Sequence, residues 1–99
     1  IDNKNTFIDL NDVQYIEKSG AKIIYHTSKT DYITYNSFNK LKLPKNFVRC
    51  HKSFIANINN ISKISFNDNI IHFKNNSICY IGPKYRNVLK EVMDIVTIS

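Results

Sequence analysis

Acidic residues are missing from the middle of this sequence. Between Asp31 and Asp68 there is no aspartate or glutamate, while Lys40, Lys42, Lys45, Arg49, Lys52 and Lys63 all lie there. The chain carries a formal charge of +6, and a one-signed segment inside a folded domain creates a field that attracts polyanions, nucleic acid first among them. The plainer alternative is that these lysines only keep the surface soluble. Long apolar runs are missing too. None approaches the roughly 20 residues of a membrane span, and no signal-peptide core opens the chain, so a cytoplasmic protein with no membrane partner is expected. Cysteine is scarce: Cys50 and Cys79 are too few for a disulfide scaffold. With His26, His51 and His72 they show none of the short paired spacings of a zinc site, so no metal and no cofactor is expected. Tryptophan is absent, and phenylalanine and tyrosine supply all of the 12% aromatic content. With 42% hydrophobic residues, that still describes a chain that folds. Its 99 residues fit one domain with one modest core. The chain opens on Ile1 rather than methionine, which suggests a fragment of a longer polypeptide with a partner domain missing.

Most of the chain alternates at period two or runs briefly in β-branched residues. TFIDL (6–10), VQYIEKS (13–19), KIIYHTS (22–28) and DYITYN (31–36) read as successive strands. The turns between them are Asn11-Asp12, Ser19-Gly20 and Lys29-Thr30, and spacings this short favour antiparallel meanders. In the fourth stretch Tyr32, Thr34 and Asn36 share one face, Ile33 and Tyr35 the other. SFNKLKLPKN (37–46) differs, because Phe38, Leu41 and Leu43 recur near helical spacing after a cap candidate and before Pro44, which predicts a helix of about two turns. Strand character returns in FVRCH (47–51), ISKISF (61–66), IIHF (70–73) and SICYI (77–81), separated by asparagine-rich turns. Tyr85, Val88, Leu89, Val92 and Val96 then form an apolar stripe that predicts a C-terminal helix starting near Gly82-Pro83.

The stretch FVRCHKSFIAN (47–57) places an arginine, a thiol, an imidazole, an ammonium and a hydroxyl in five consecutive positions. Cys50 and His51 cannot be a catalytic dyad on a strand, because neighbours there point to opposite faces. Neither His26 nor His72 is marked as a distant base, so no catalytic residue is assigned. As polyanion chemistry the stretch makes sense. If the strand ends near His51, then His51, Lys52 and Ser53 leave the sheet with donors suited to phosphates and base edges. Two other places share this character. Residues 18–22 form a basic polar turn between two strands, either a solvated hairpin or a contact loop. Residues 82–86 open the last helix, where free backbone N–H groups and the charges of Lys84 and Arg86 favour an anion. Tyr85 reads as the first core residue of the stripe more readily than as a stacking platform. Cys50 and Cys79 read as core thiols; because both lie in strand patterns beside proposed binding loops, they are also a candidate redox pair.

These residues resemble the LytTR family of DNA-binding domains. Phe47, Arg49, His51, Lys52, Ser53, Phe54, Asn57 and Ile61 match its central signature in register, and DVQYIEKSGAKIIYHT (12–27) is similar to its early strand and the following turn. The resemblance covers nearly the whole chain and looks most like quorum-sensing regulators of virulence or peptide production. It implies an all-β fold, an elongated arrangement of antiparallel sheets with one short internal helix and a C-terminal helix. It also implies a bacterial two-component response regulator whose receiver domain precedes this one. Loops, rather than a recognition helix, would enter successive major grooves of double-stranded DNA. Dimers would form on direct-repeat sites, driven by the receiver. By position the DNA-binding loops are Lys18, Ser19 and Lys22; His51, Lys52 and Ser53; and Lys84, Tyr85 and Arg86. The first loop leaves its base-reading residue open between Ala21 and Lys22. Gly82-Pro83 stands where the family commonly has Ser-Arg, which leaves the reading cation of the third loop open between Lys84 and Arg86. The residues alone leave a basic β module for RNA or single-stranded nucleic acid as the alternative, with Tyr25, Tyr32 and Tyr35 as stacking platforms. A protein-interaction module using exposed strand edges is a third reading.

Overall fold

A computed structural model of the chain describes residues 6–93. Among these residues eight strands and one α-helix are formed: β1 (Val13–Ser19), β2 (Lys22–Thr27), β3 (Asp31–Tyr35), β4 (Phe47–His51), β5 (Phe54–Asn57), β6 (Ile61–Ser65), β7 (Ile70–Phe73), β8 (Ile78–Tyr80) and α1 (Arg86–Val92). They make a five-stranded sheet in the order β3-β2-β1-β5-β4 and a three-stranded sheet in the order β6-β7-β8, with every pairing antiparallel. The fold is therefore mainly β with one C-terminal helix, as expected.

The turns follow from their residues. Ser19 pairs with Lys22, which leaves Gly20 and Ala21 as a two-residue loop, and Gly20 takes a φ of 61°. A glycine in that first central position gives a primed turn whose twist matches the strands it joins. The turns after β6 and β7 use Asn69 and Asn76 at φ 56° and 72°, a conformation asparagine tolerates better than most side chains.

Two apolar clusters sandwich the large sheet. On one face Val13, Ile16, Ile23 and Ile55 lie under Phe38, with Leu10, Leu41 and Leu43 around them. On the other, Ala56 meets the small sheet and helix through Ile71, Phe73, Cys79, Ile81 and Leu89. Tyr15 ties the sheets together, its ring stacked 5.3 Å from Phe73 and 4.2 Å from His26. Burial first, and then the Glu17 carboxylate, push the Tyr15 hydroxyl up to about 12.

Four expectations change. Residues 6–9 form no strand, and Leu10–Asp12 is a single 3-10 turn capped by the Asp9 carboxylate. Ile8 and Leu10 instead cover the first cluster. The internal two-turn helix is only the 3-10 turn Phe38–Lys40. Leu41 and Leu43 continue as an extended crossing packed on the sheet, because their spacing of two suits an extended chain better than a helix. Residues 54–57 form a full strand, β5, at the centre of the large sheet between β1 and β4. The C-terminal stripe is narrower than its spacing implied: Leu89 is fully buried, while Val88 and Val92 are 46% and 41% exposed. Leu89 and Met93, four residues apart, are the ones that join the second cluster, and Tyr85 is half-buried. Val96 lies outside the described residues.

Candidate nucleic-acid interface

Strand directions decide where the polar turns meet. β1 runs toward its turn with β2, and antiparallel pairing places Phe54 opposite Glu17 and His51 opposite Phe54. The turns at 19–22 and 51–54 therefore project from the same end of the large sheet. The backbone N–H of Lys18 donates to the Ser53 carbonyl at 2.9 Å, so the two turns touch directly. The third segment joins at β4, where the Gly82 N–H donates to the Cys50 carbonyl at 2.8 Å. His51, Lys52, Gly82, Pro83, Lys84 and Tyr85 line a shallow cleft of about 360 Å³ there. Gly82 allows this approach: a Cβ at that position would lie 3.1 Å from the Tyr85 ring and 3.5 Å from the His51 Cα.

A register shift between Arg49 and His51 sets the direction of the central motif. Arg49 stays on the face of Ile55, whereas His51 turns to the face of Phe54, its ring 5.1 Å away. From beneath the turn, the Arg49 Nε donates to the His51 carbonyl at 2.7 Å and Nη2 donates to the Lys52 carbonyl. The guanidinium lies 4.8 Å above the Phe38 ring and 5.9 Å from that of Tyr85. Arg49 is thus a positioning residue that holds the turn from below. Its sequence neighbours gave no hint of this, because the aromatic partners come from distant segments.

The His51 Nδ1 accepts the Ser53 N–H at 3.0 Å, which leaves Nε2 as the N–H donor of a neutral ring. Burial and then the charges of Lys52 and Arg49 hold its pKa below the ordinary histidine value, in keeping with that form. Lys18, Ser19, Lys22, Lys52 and Lys84 are exposed at this end, and Ser53 and Tyr85 are half-buried.

Arg86 differs from the other site candidates. Its Nη1 donates to the Phe66 carbonyl at 2.7 Å and to the Asn69 side-chain oxygen, with the guanidinium 5.5 Å from the Phe66 ring. It fastens the β6–β7 turn to α1. Both arginines of the chain therefore commit donors to backbone carbonyls of turns, and the exposed cations of the interface are lysines.

The acid-free, cationic middle of the sequence does not become one patch. Lys40 follows Phe38 at the loop end, whereas Lys45 precedes Asn46, whose amide bonds Asn57 at the opposite end. Lys63 is on β6 of the small sheet. The three tyrosines also fail to form one platform: Tyr25 pairs with Tyr32, while Tyr35 points to the other face.

The opposite end is a closed amide network. Buried Asn57 donates to the Val13 carbonyl at 2.9 Å and accepts from Asn46 at 2.7 Å and from the Asn59 N–H at 3.1 Å. Asn60 adds bonds to the carbonyls of Asn11 and Val13. The asparagine of the central motif is therefore a structural residue here. Elsewhere on the sheet, His26 presents Nε2 to Glu17 at 2.8 Å and Nδ1 to Asp31 at 3.0 Å. Among the described residues no group of three or more His, Cys, Asp or Glu side chains could hold a metal ion. Cys50 and Cys79 are buried with Sγ atoms 3.8 Å apart. The contact with Cys50 and burial raise the pKa of the Cys79 thiol.

Comparison with known proteins identifies the family and the fold. The LytTr DNA-binding domain family matches residues 3–94. Accessory gene regulator A of Staphylococcus aureus is 31% identical over 90 residues, 88% of this chain and 37% of that protein. Accessory gene regulator protein A of Staphylococcus epidermidis is 30% identical over 89 residues, again 37% of its length. The chain thus spans little more than a third of these curated relatives. The structure of a LytTr DNA-binding domain from a Bacillus cereus putative methyl-accepting/DNA response regulator shares the fold, with a TM-score of 0.80 over 89% of this chain and 86% of that one at 22% identity. The chain belongs to the LytTR family of DNA-binding domains.

Proposed function

We propose that this chain is the non-enzymatic, DNA-binding output domain of a cytoplasmic two-component response regulator, and that it reads double-stranded DNA by placing its loops in the major groove. The observation that carries this reading is the convergence of three polar turns at one end of the large sheet, with Lys18, Lys22, Lys52 and Lys84 exposed there. Strands β2, β1, β5 and β4 are consecutive neighbours, so the two hairpin turns lie within about three strand spacings, roughly 14 Å. That width is comparable to the roughly 12 Å of a major groove. Lys52 and the His51 Nε2–H face base edges, Lys84 reads or grips beside them, and Lys18 and Lys22 hold phosphates. The two phosphate lysines give a log–log salt slope of about −1.8, and about −2.7 with Lys84 gripping a phosphate as well.

In the full protein, two copies on direct-repeat half-sites are held together by the preceding receiver domain, and the isolated domain binds weakly as a monomer. The setting is gene regulation of the quorum-sensing and virulence kind. Selection of bound duplexes from a random pool tests both statements: a recurring motif in two direct copies is expected, and recovery of unenriched sequence contradicts it. A basic module for RNA or single strands is the alternative. If labelled duplex is displaced as readily by unlabelled single strands as by duplex, that alternative replaces the first reading.

The same reading includes Cys50 and Cys79 as a redox pair beside the loops. A peroxide would take two electrons and two protons from the thiols, form one Sγ–Sγ bond and leave as water. Intact mass after peroxide treatment tests this: loss of two hydrogens from one chain is expected, and unchanged thiols that remain inert in their burial contradict it.

A further inference from the structure

Beyond the three loops, a fourth segment reaches the same end of the sheet. β3 finishes at Tyr35, which pairs with Lys22 beside the β1–β2 turn. The chain then turns onto the face of the sheet to Phe38, which is buried with the Arg49 guanidinium 4.8 Å from its ring. That guanidinium is the one bonded to the carbonyls of His51 and Lys52. Residues 35–40 are therefore anchored to the underside of the central loop by a chain of named contacts. Around the anchor the segment is open. Tyr35 is 70% exposed, and Asn36, Asn39 and Lys40 are exposed as well. The turn is fixed by the Lys40 N–H donating to the Ser37 carbonyl at 3.1 Å and the Asn36 side chain accepting the Ser37 N–H at 2.9 Å. No carboxylate lies in the segment, and an exposed tyrosine hydroxyl, two amides and an ammonium are all donors suited to a phosphate backbone.

We infer that residues 35–40 form a fourth DNA contact, gripping the phosphate backbone along the edge of the groove that the loops occupy, with Lys40 supplying the charge and Tyr35 and Asn39 hydrogen bonds. This rests on the duplex-binding reading above. A contact to phosphates fixes the orientation of the protein without discriminating bases, so the segment strengthens binding to all duplexes alike. Phe38 and Arg49 give it a mechanical role as well, because a strip pressed upward by phosphate bears on the carbonyls that shape the His51 turn.

The sheet itself provides the control. Lys45 has the same charge and is exposed like Lys40, but lies at the amide-network end. Binding of a fluorescein-labelled mixed-sequence duplex to the 99-residue chain is followed by anisotropy across a salt series for the wild type and for Lys40→Ala, Lys45→Ala and Lys52→Ala. Losing one phosphate cation lowers the magnitude of the salt slope by about 0.9 and weakens binding about fivefold near 0.15 M salt. Lys40→Ala is expected to show both changes and Lys45→Ala neither. If Lys40→Ala behaves like Lys45→Ala while Lys52→Ala weakens binding, the fourth contact is overturned and the three-loop reading stands. If the duplex binds all four proteins alike, both are overturned. Circular dichroism melts of each variant keep a folding defect from being taken for lost contact.

Discussion

The two ends of the five-stranded sheet are built from similar polar residues put to opposite uses. At the amide end, Asn46, Asn57 and Asn60 direct their side chains inward and bond one another or backbone carbonyls. At the loop end the backbone is held from beneath by Arg49, which leaves the exposed lysines available to an anionic partner. Asymmetry of this kind separates a scaffold from a site, because a buried polar group must be satisfied within the fold whereas an exposed donor can wait for a ligand.

Substitutions at each end should accordingly fail in different assays. The largest effect expected is on stability: Asn57→Leu removes the amide that joins Val13, Asn46 and Asn59, and should cost about 2–4 kcal/mol by leaving several buried groups unpaired. Urea melts measure it, and a loss under about 0.5 kcal/mol, the ordinary surface range, would show that the network is ornamental. Next comes binding. Lys52→Ala and Lys84→Ala should each weaken duplex affinity by about 1–3 kcal/mol while leaving the melt unchanged. Arg86→Lys sharpens the contrast, since it keeps the charge but loses the forked bonds to Phe66 and Asn69. It should lower stability by roughly 1 kcal/mol and disturb binding less than Lys84→Ala. The reverse ranking would make Arg86 the reading cation.

The smallest effect concerns pH. The pKa of His51 is lowered in the fold, so the folded state binds fewer protons there than the unfolded chain, and stability gains as pH rises through the interval just below the ordinary histidine value of 6.5. Protonation also removes the acceptor for the Ser53 N–H. An NMR titration should therefore show a His51 midpoint under 6.5 with the Ser53 amide moving in step, and a midpoint above 6.5 contradicts the neutral donor.

Period-two alternation and short runs of β-branched residues made β1, β2, β3 and β4 legible in the sequence, together with the whole small sheet. β5 was hidden: Ile55, Ala56 and Asn57 are all buried, so no alternation marks them as a strand. Residues 37–43 misled for the opposite reason. Two or three apolar residues match a helical and an extended pattern almost equally, and packing on the sheet decided the outcome. At the site, the three polar turns could be read from composition, but their adjacency depends on β5 lying between β1 and β4. The commitment of both arginines was illegible, since Arg49 meets Phe38 and Tyr85, and Arg86 meets Phe66 and Asn69, across gaps in the chain that only the fold closes.

The central claim, that one end of the large sheet is the DNA-contacting surface, is tested most directly by following backbone amide shifts as duplex DNA is added. The account predicts that the moving amides gather at residues 18–22, 35–40, 51–53 and 84, while those of Asn46, Asn57, Asn59 and Asn60 stay in place. Shifts concentrated at the asparagine end, or spread evenly over both sheets, would contradict it.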